Sequence, residues 1–173
     1  ILRKKINKFR SNPIRKEVLV DSLMMLHEMR ISTYPKYVVT AKINKAMDMM
    51  TYAAKGEEQE VFNVLGDAME TAKGKTAVVI PVRYMSYAND LYKAGSMSAE
   101  EVMAAYNKAY STAELIEKAK PSQSITDAKK DIENLLMISG VASCENLVEM
   151  FTPRFEANRT EKYMLGNLIS MFS

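Results

Sequence analysis

Helix-ending glycines divide this chain into segments of helical length, and that division limits its fold more than any other feature. Gly56, Gly74, Gly95 and Gly140 each follow a run in which apolar residues recur at the spacing of one helix face. Glycine is otherwise scarce, with 6 residues in 173, while the helix-favouring residues Ala, Met, Glu and Lys are abundant. No segment makes a convincing strand. The sequence therefore predicts an all-α fold.

Capping signals and prolines place the helix boundaries. Ser98 and Glu101 have the S-x-x-E spacing of a capping box, which predicts a helix that starts at residue 99 and ends before Pro121. The preceding helix lies between Gly74 and Gly95, and Pro81 is compatible with its first turn. The predicted helices span, in chain order, 16–31, 37–54, 57–73, the segment between Gly74 and Gly95, 99–119, 124–140, 143–151 (stopped by Thr152-Pro153) and 158–173.

Several apolar stripes predict which side chains are buried. In segment 16–31, the residues with the spacing of a buried face are Val18, Leu19, Leu23, Leu26 and Met29. Most of the 14 Met residues also fall on such stripes, which favours the core over an adaptable binding surface. The neighbours Met24 and Met25 straddle a stripe, as do Met49 and Met50, so one of each pair is expected to be exposed.

Basic residues are concentrated at the start of the chain. Residues 1–16 carry seven Lys or Arg and no acid, whereas the remaining 157 residues carry 17 basic and all 21 acidic side chains. Leu2, Ile6 and Phe9 form an apolar stripe, which predicts the remnant of a basic amphipathic helix with a solvated charged face. A basic arm also suits nucleic acid or an anionic membrane surface. Because this one is short and lacks interleaved aromatic residues, no nucleic-acid partner is expected.

Gly56 and Gly95 lie 39 residues apart, and each falls between two predicted helices. Around the second glycine, large and small residues alternate as they do where the two helices of a hairpin pack closely. The residues expected to pack this hairpin are Tyr84, Tyr87, Ala88, Leu91, Gly95, Tyr106 and Ala109. The pattern resembles a degenerate tetratricopeptide repeat. That resemblance implies an α-solenoid of antiparallel helical hairpins, wound into a superhelix.

Three stretches extend the resemblance over about residues 19–173: MRISTYPKYV, LYKAGSMSAEEVMAAYNKA and ASCENLVEMFTPRFEAN. Together they are similar to a group of tetratricopeptide-like proteins from Bacteroidetes bacteria. The resemblance implies a protein without enzymatic activity that is often exported, while a cytoplasmic location stays open. It also implies that residues 1–173 form one repeat domain, the C-terminal portion of a longer chain. No apolar run approaches the roughly 20 residues that span a bilayer, so no transmembrane segment is expected.

In tetratricopeptide arrays, the first helix of each hairpin lines a concave groove. On that geometry, the candidate groove residues are Met85, Asn89, Tyr92 and Lys93. Asn and Lys side chains suit a peptide backbone or a terminal carboxylate, and Tyr supplies apolar area. The alternative is that these side chains are only solvated. The predicted function is a scaffold or adaptor that binds a protein or peptide in this groove.

Residue types that carry catalysis are sparse. His27 is the single histidine and has no second His or Cys to complete a metal site. The single cysteine, Cys144, is expected to be a buried apolar residue. Acidic pairs such as Asp131 and Glu133 are expected at helix starts or on exposed faces. The sequence therefore predicts no catalytic residue, metal or cofactor. The alternative function, a helical bundle that binds a small ligand or acts as an enzyme, would need His27 and two acids in one buried pocket.

Overall fold

The computed structural model describes residues 1–52, 56–71 and 75–157, and the predicted all-α class is confirmed across these ranges. Two short 3-10 turns, Pro35–Tyr37 and Lys75–Val78, precede the third and fifth helices. The helices are α1 (Leu2–Lys8), α2 (Pro13–Thr33), α3 (Val38–Tyr52), α4 (Glu58–Thr71), α5 (Val79–Lys93), α6 (Ala99–Ala119), α7 (Gln123–Ser139) and α8 (Cys144–Ala157).

The capping box predicted before α6 is present. The hydroxyl of Ser98 accepts a hydrogen bond from the backbone N–H of Glu101 at 3.2 Å, and the Glu101 carboxylate accepts one from the backbone N–H of Ser98 at 2.7 Å. These two bonds satisfy N–H groups that have no partner inside the helix. The helix accordingly starts at Ala99, as the sequence predicts.

Gly95 turns the chain from α5 into α6. Its φ is +74°, a left-handed conformation that glycine adopts without steric cost. The N–H of Gly95 donates to the carbonyl of Tyr92 at 2.9 Å, and the N–H of Ser96 donates to the carbonyl of Leu91 at 2.8 Å. This pair of bonds is the Schellman motif, which satisfies the last carbonyls of the helix.

Helix α5 lies at the centre of the described structure. Consecutive helices pack against one another from α1 to α7, and α5 contacts α7 as well as α4 and α6. Pro81 falls in the first turn of α5, as expected, and is buried. Of the residues expected to pack the α5–α6 hairpin, the buried ones are Tyr84, Ala88, Leu91, Tyr106 and Ala109, and Tyr87 is half-buried.

Helix α4 approaches α5 closely at Tyr84. The ring of Phe62 stacks on the Tyr84 ring with 4.2 Å between centroids. A Cβ atom at Gly66 would lie only 3.3 Å from Cε2 of Tyr84. The missing side chain at Gly66 therefore helps the two helices to pack at this distance.

Two boundary predictions are wrong. Helix α8 continues through Pro153 to Ala157 instead of stopping before the proline. A proline inside a helix removes one backbone hydrogen bond, but a helix can accommodate that loss by bending. Residues 1–16 do not form one basic helix, because α1 ends at Lys8 and α2 begins at Pro13. The helix predicted over 158–173 lies outside the described residues.

Candidate functional site

The four candidate groove residues on α5 do not form an open binding surface together. Met85 is completely buried, and Asn89 is buried with its Nδ2 donating to the backbone carbonyl of Leu135 on α7 at 2.7 Å. Tyr92 is half-buried and Lys93 is exposed. The burial of Met85 and Asn89 corrects their expected accessibility, and α7 packs against Asn89. The accessible part of this candidate site is Tyr92 and Lys93.

Helix α2 exposes a set of large apolar side chains instead. Its buried residues are Leu23 and His27. The exposed set is Ile14 (73% exposed), Val18 (59%), Met25 (66%), Leu26 (46%) and Met29 (57%). We call these five residues the outer face of α2. The prediction that Val18, Leu26 and Met29 are buried is therefore wrong.

The geometry of the helix explains this error. Apolar residues occur on nearly every side of α2, so their spacing is compatible with more than one buried face. Helices α1 and α3 pack against the side that carries Leu23 and His27. At 3.6 residues per turn, Ile14, Val18 and Met25 lie roughly opposite Leu23. Only the neighbouring helices decide which apolar side is buried.

An open cleft of about 590 Å³ lies beside the outer face, where α2, α3 and α4 meet. We call it the methionine cleft, and its lining residues are Asp21, Met24, Met25, Glu28, Met29, Ser32, Lys45 and Glu60. Met25 is exposed and Met24 half-buried, which confirms the expectation for that pair. The same expectation is wrong for Met49 and Met50, because one is buried and the other half-buried.

Acidic side chains surround the methionines of this cleft. Asp21, Glu28 and Glu60 are all exposed. Among the described lining residues, Lys45 is the one basic residue, and its ammonium donates to the Glu28 carboxylate. Asp21 and Glu60 form no ion pair within the part of the chain that the structure describes. The cleft is therefore net negative, although the whole chain has a formal net charge of +3.

A second polar group consists of the buried side chains of His27 and Asp48 and the exposed side chain of Arg3, and it joins α1, α2 and α3. Arg3 donates to the Asp48 carboxylate through Nε at 2.7 Å and Nη2 at 2.8 Å. His27 Nε2 lies 2.7 Å from Oδ2 of Asp48, and because a carboxylate oxygen accepts, the protonated Nε2 donates a hydrogen bond to it. The hydrogen bond that Arg3 donates to Asp48 is the main reason that the pKa of Arg3 is raised. The remaining nitrogen, His27 Nδ1, is buried without a hydrogen-bond partner among the described residues.

This cluster differs from the pocket that the enzymatic alternative needs. His27 hydrogen-bonds to one acid, Asp48, whose carboxylate also pairs with the Arg3 guanidinium, and none of the three side chains lines the methionine cleft. Within residues 1–52, 56–71 and 75–157, no group of three or more His, Cys, Asp or Glu side chains could hold a metal ion. Glu133, which was expected on an exposed face, is buried on α7.

Comparison of the chain with models of protein families, with curated proteins and with solved structures gave no match. The resemblance to tetratricopeptide-like proteins of Bacteroidetes therefore stays a prediction. Among the described helices, none is both long and apolar enough to cross a membrane.

Proposed function

We propose that this chain is a protein- or peptide-binding module, an α-solenoid of tetratricopeptide-like hairpins whose partner binds on the outer face of α2. The hairpin character is supported by the packing of consecutive helices, by the additional contact of α5 with α7, and by the glycine turn at Gly95. In such arrays each unit contacts mainly its neighbours, which leaves extended surfaces for partners.

The outer face of α2 is the observation that carries this proposal. Single exposed apolar residues are normal on protein surfaces, but a contiguous set of them marks an interaction site. Here five large apolar residues are exposed on one helix, and Ile14, Val18, Met25 and Met29 recur along a single side of it. That arrangement matches the periodic anchors with which helices bind partners.

The proposed location differs from the groove expected on α5, since the structure buries two of the four residues expected there. The alternative function, a small-ligand or enzymatic bundle, has less support because the buried His27 is paired with a single acid, Asp48, which also binds Arg3.

The test compares four baits in pull-downs from lysate of the source organism. The first bait is the unchanged chain, and the second is Met25→Glu/Met29→Glu on the outer face. The third is Tyr92→Ala/Lys93→Glu, the accessible part of the α5 site. The fourth is Leu115→Glu, a matched control because Leu115 on α6 is 66% exposed, as Met25 is. Thermal unfolding followed by circular dichroism establishes that all four are folded.

We expect a partner to be retained by the unchanged chain, by the α5 variant and by Leu115→Glu, and lost by Met25→Glu/Met29→Glu. Loss by the α5 variant alone would place the site on α5 after all. The same partners on all four baits would contradict both locations.

A further inference from the structure

We infer that the methionine cleft and the outer face of α2 bind a basic amphipathic helix, whose apolar side contacts the methionines and whose Lys or Arg residues pair with the acidic rim. This inference rests on the proposed function and specifies the chemistry of the partner. The acidic rim consists of Asp21, Glu28 and Glu60.

The apolar part of the surface suits a helical partner. Met24, Met25 and Met29 line the cleft, and the outer face continues from it along α2 to Val18 and Ile14. Methionine side chains are unbranched and polarisable, so they adapt to different apolar partners. A helix that places apolar residues at i, i+4 and i+7 against such a surface binds by the helix-in-groove mode.

The charged part of the surface determines the sign of the charge that a partner should carry. Asp21 and Glu60 come from different helices, α2 and α4, yet both line the one cleft, and neither forms an ion pair among the described residues. The carboxylate of Glu28 is already paired with Lys45. Two exposed carboxylates beside an apolar surface favour cationic side chains and disfavour anionic ones.

The same charges argue against a second copy of this chain as the occupant. A two-fold pairing of α2 with α2 would present the same surface from both subunits. Asp21 and Glu28 would then be present in both halves of the interface, where like charges are unfavourable. A partner with basic residues has no such penalty.

The opposite end of α2 limits where the partner carries its charge. Lys8, Arg10 and Arg15 are exposed and lie in the chain just before α2 or in its first turn. These cations repel basic residues, so the Lys or Arg residues of the partner belong over the middle and C-terminal part of α2, where Asp21 and Glu28 lie.

The test measures the binding of labelled designed peptides by fluorescence anisotropy, at low and at raised salt. The probe is a helical peptide of about four turns with leucine at i, i+3, i+4 and i+7 and lysine on the flanks. One control peptide has glutamate in place of each lysine, and another has serine in place of each leucine. The protein variants are Asp21→Lys/Glu60→Lys and Met25→Glu/Met29→Glu. Their matched controls are Asp90→Lys/Asp131→Lys, which reverses two exposed acids on α5 and α7, and Leu115→Glu.

We expect the lysine peptide to bind roughly tenfold more tightly than the glutamate peptide and to weaken as salt is raised. The reversal Asp21→Lys/Glu60→Lys should remove or invert this preference, and Asp90→Lys/Asp131→Lys should leave it in place. The serine peptide and the Met25→Glu/Met29→Glu protein should show no binding.

Three results overturn the inference. Equal binding of the lysine and glutamate peptides, with loss on Met25→Glu/Met29→Glu, removes the charge selection but leaves the proposed apolar site. Absence of binding to every peptide, while a lysate partner still depends on Met25 and Met29, excludes this partner chemistry and keeps the proposed function. A dimer in sedimentation that Met25→Glu/Met29→Glu converts to monomer would assign the surface to a second copy of the chain.

Discussion

Arg3 on α1 and Asp48 on α3 form a bidentate ion pair, with 2.7 Å between Nε and Oδ1 and 2.8 Å between Nη2 and Oδ2. His27 on α2 donates to the same carboxylate, so one buried side chain receives hydrogen bonds from two other helices. The carboxylate therefore fixes the relative positions of the first three helices, and α2 in turn presents the outer face.

Replacing Asp48 by alanine should lower the free energy of unfolding by about 2 kcal/mol, because it leaves the buried Nε2 of His27 without an acceptor. The expected loss of stability is smaller than for a fully buried ion pair, because the Arg3 side chain is 53% exposed and can hydrogen-bond to water instead. Urea unfolding measures the change, with Asp131→Ala, an exposed acid, as the control. The double variant His27→Leu/Asp48→Leu removes donor and acceptor together and should be more stable than Asp48→Ala. A fully stable Asp48→Ala would contradict the linking role.

Replacing Gly95 by alanine should destabilise the protein by about 1 kcal/mol, because a side chain makes the left-handed conformation unfavourable. No atom lies within 4 Å of a Cβ built at this position, so the loss is conformational and involves no clash. Gly95→Asn should lose less stability than Gly95→Ala, since Asn tolerates the left-handed conformation better than Ala. The two variants are compared by thermal unfolding. Equal losses for Ala and Asn would show that backbone conformation is not the cause.

The capping box of α6 should make part of the stability depend on pH. Hydrogen bonds from the backbone and the side chain of Ser98 lower the pKa of Glu101 below its ordinary value of about 4.5. A carboxylate with a lowered pKa in the folded state stabilises the protein above its ordinary pKa, and that contribution is lost as the pH falls through the lowered value. The stability advantage of the unchanged chain over Glu101→Gln should therefore be present at pH 7 and disappear in acid. Urea unfolding at a series of pH values measures it, and an advantage that persists at pH 2 would contradict the assignment.

Ala88 should tolerate no larger side chain. It is completely buried on α5, the helix that contacts α4, α6 and α7. Ala88→Leu adds three carbon atoms to a packed core and should cost about 1–3 kcal/mol. Ala104→Leu makes the same change on the exposed side of α6. Its free energy of unfolding should stay within about 0.5 kcal/mol of that of the unchanged chain. Similar stabilities for the two variants in urea unfolding would show that α5 is not closely packed at Ala88.

The local features of the fold could be predicted from the sequence. The start of α6 at Ala99 follows from Ser98 and Glu101, which act within one turn of each other. The turn at Gly95 follows from the conformation that only glycine adopts readily. The candidate site was much less predictable. Asp21 and Glu60 are far apart in the chain and come together only because α2 and α4 line the same cleft.

Among the described residues, then, the sequence by itself determined which segments are helical, the approximate bounds of several helices, and that Gly95 and Gly140 turn the chain, because caps, turns and helical periodicity depend on neighbouring residues. The tertiary structure alone decided which side of α2 is exposed, that Met85 and Asn89 are buried, and that His27 contacts Asp48. Those outcomes depend on which helices pack together, and a helix with apolar residues on several sides does not specify which of them its neighbours will cover.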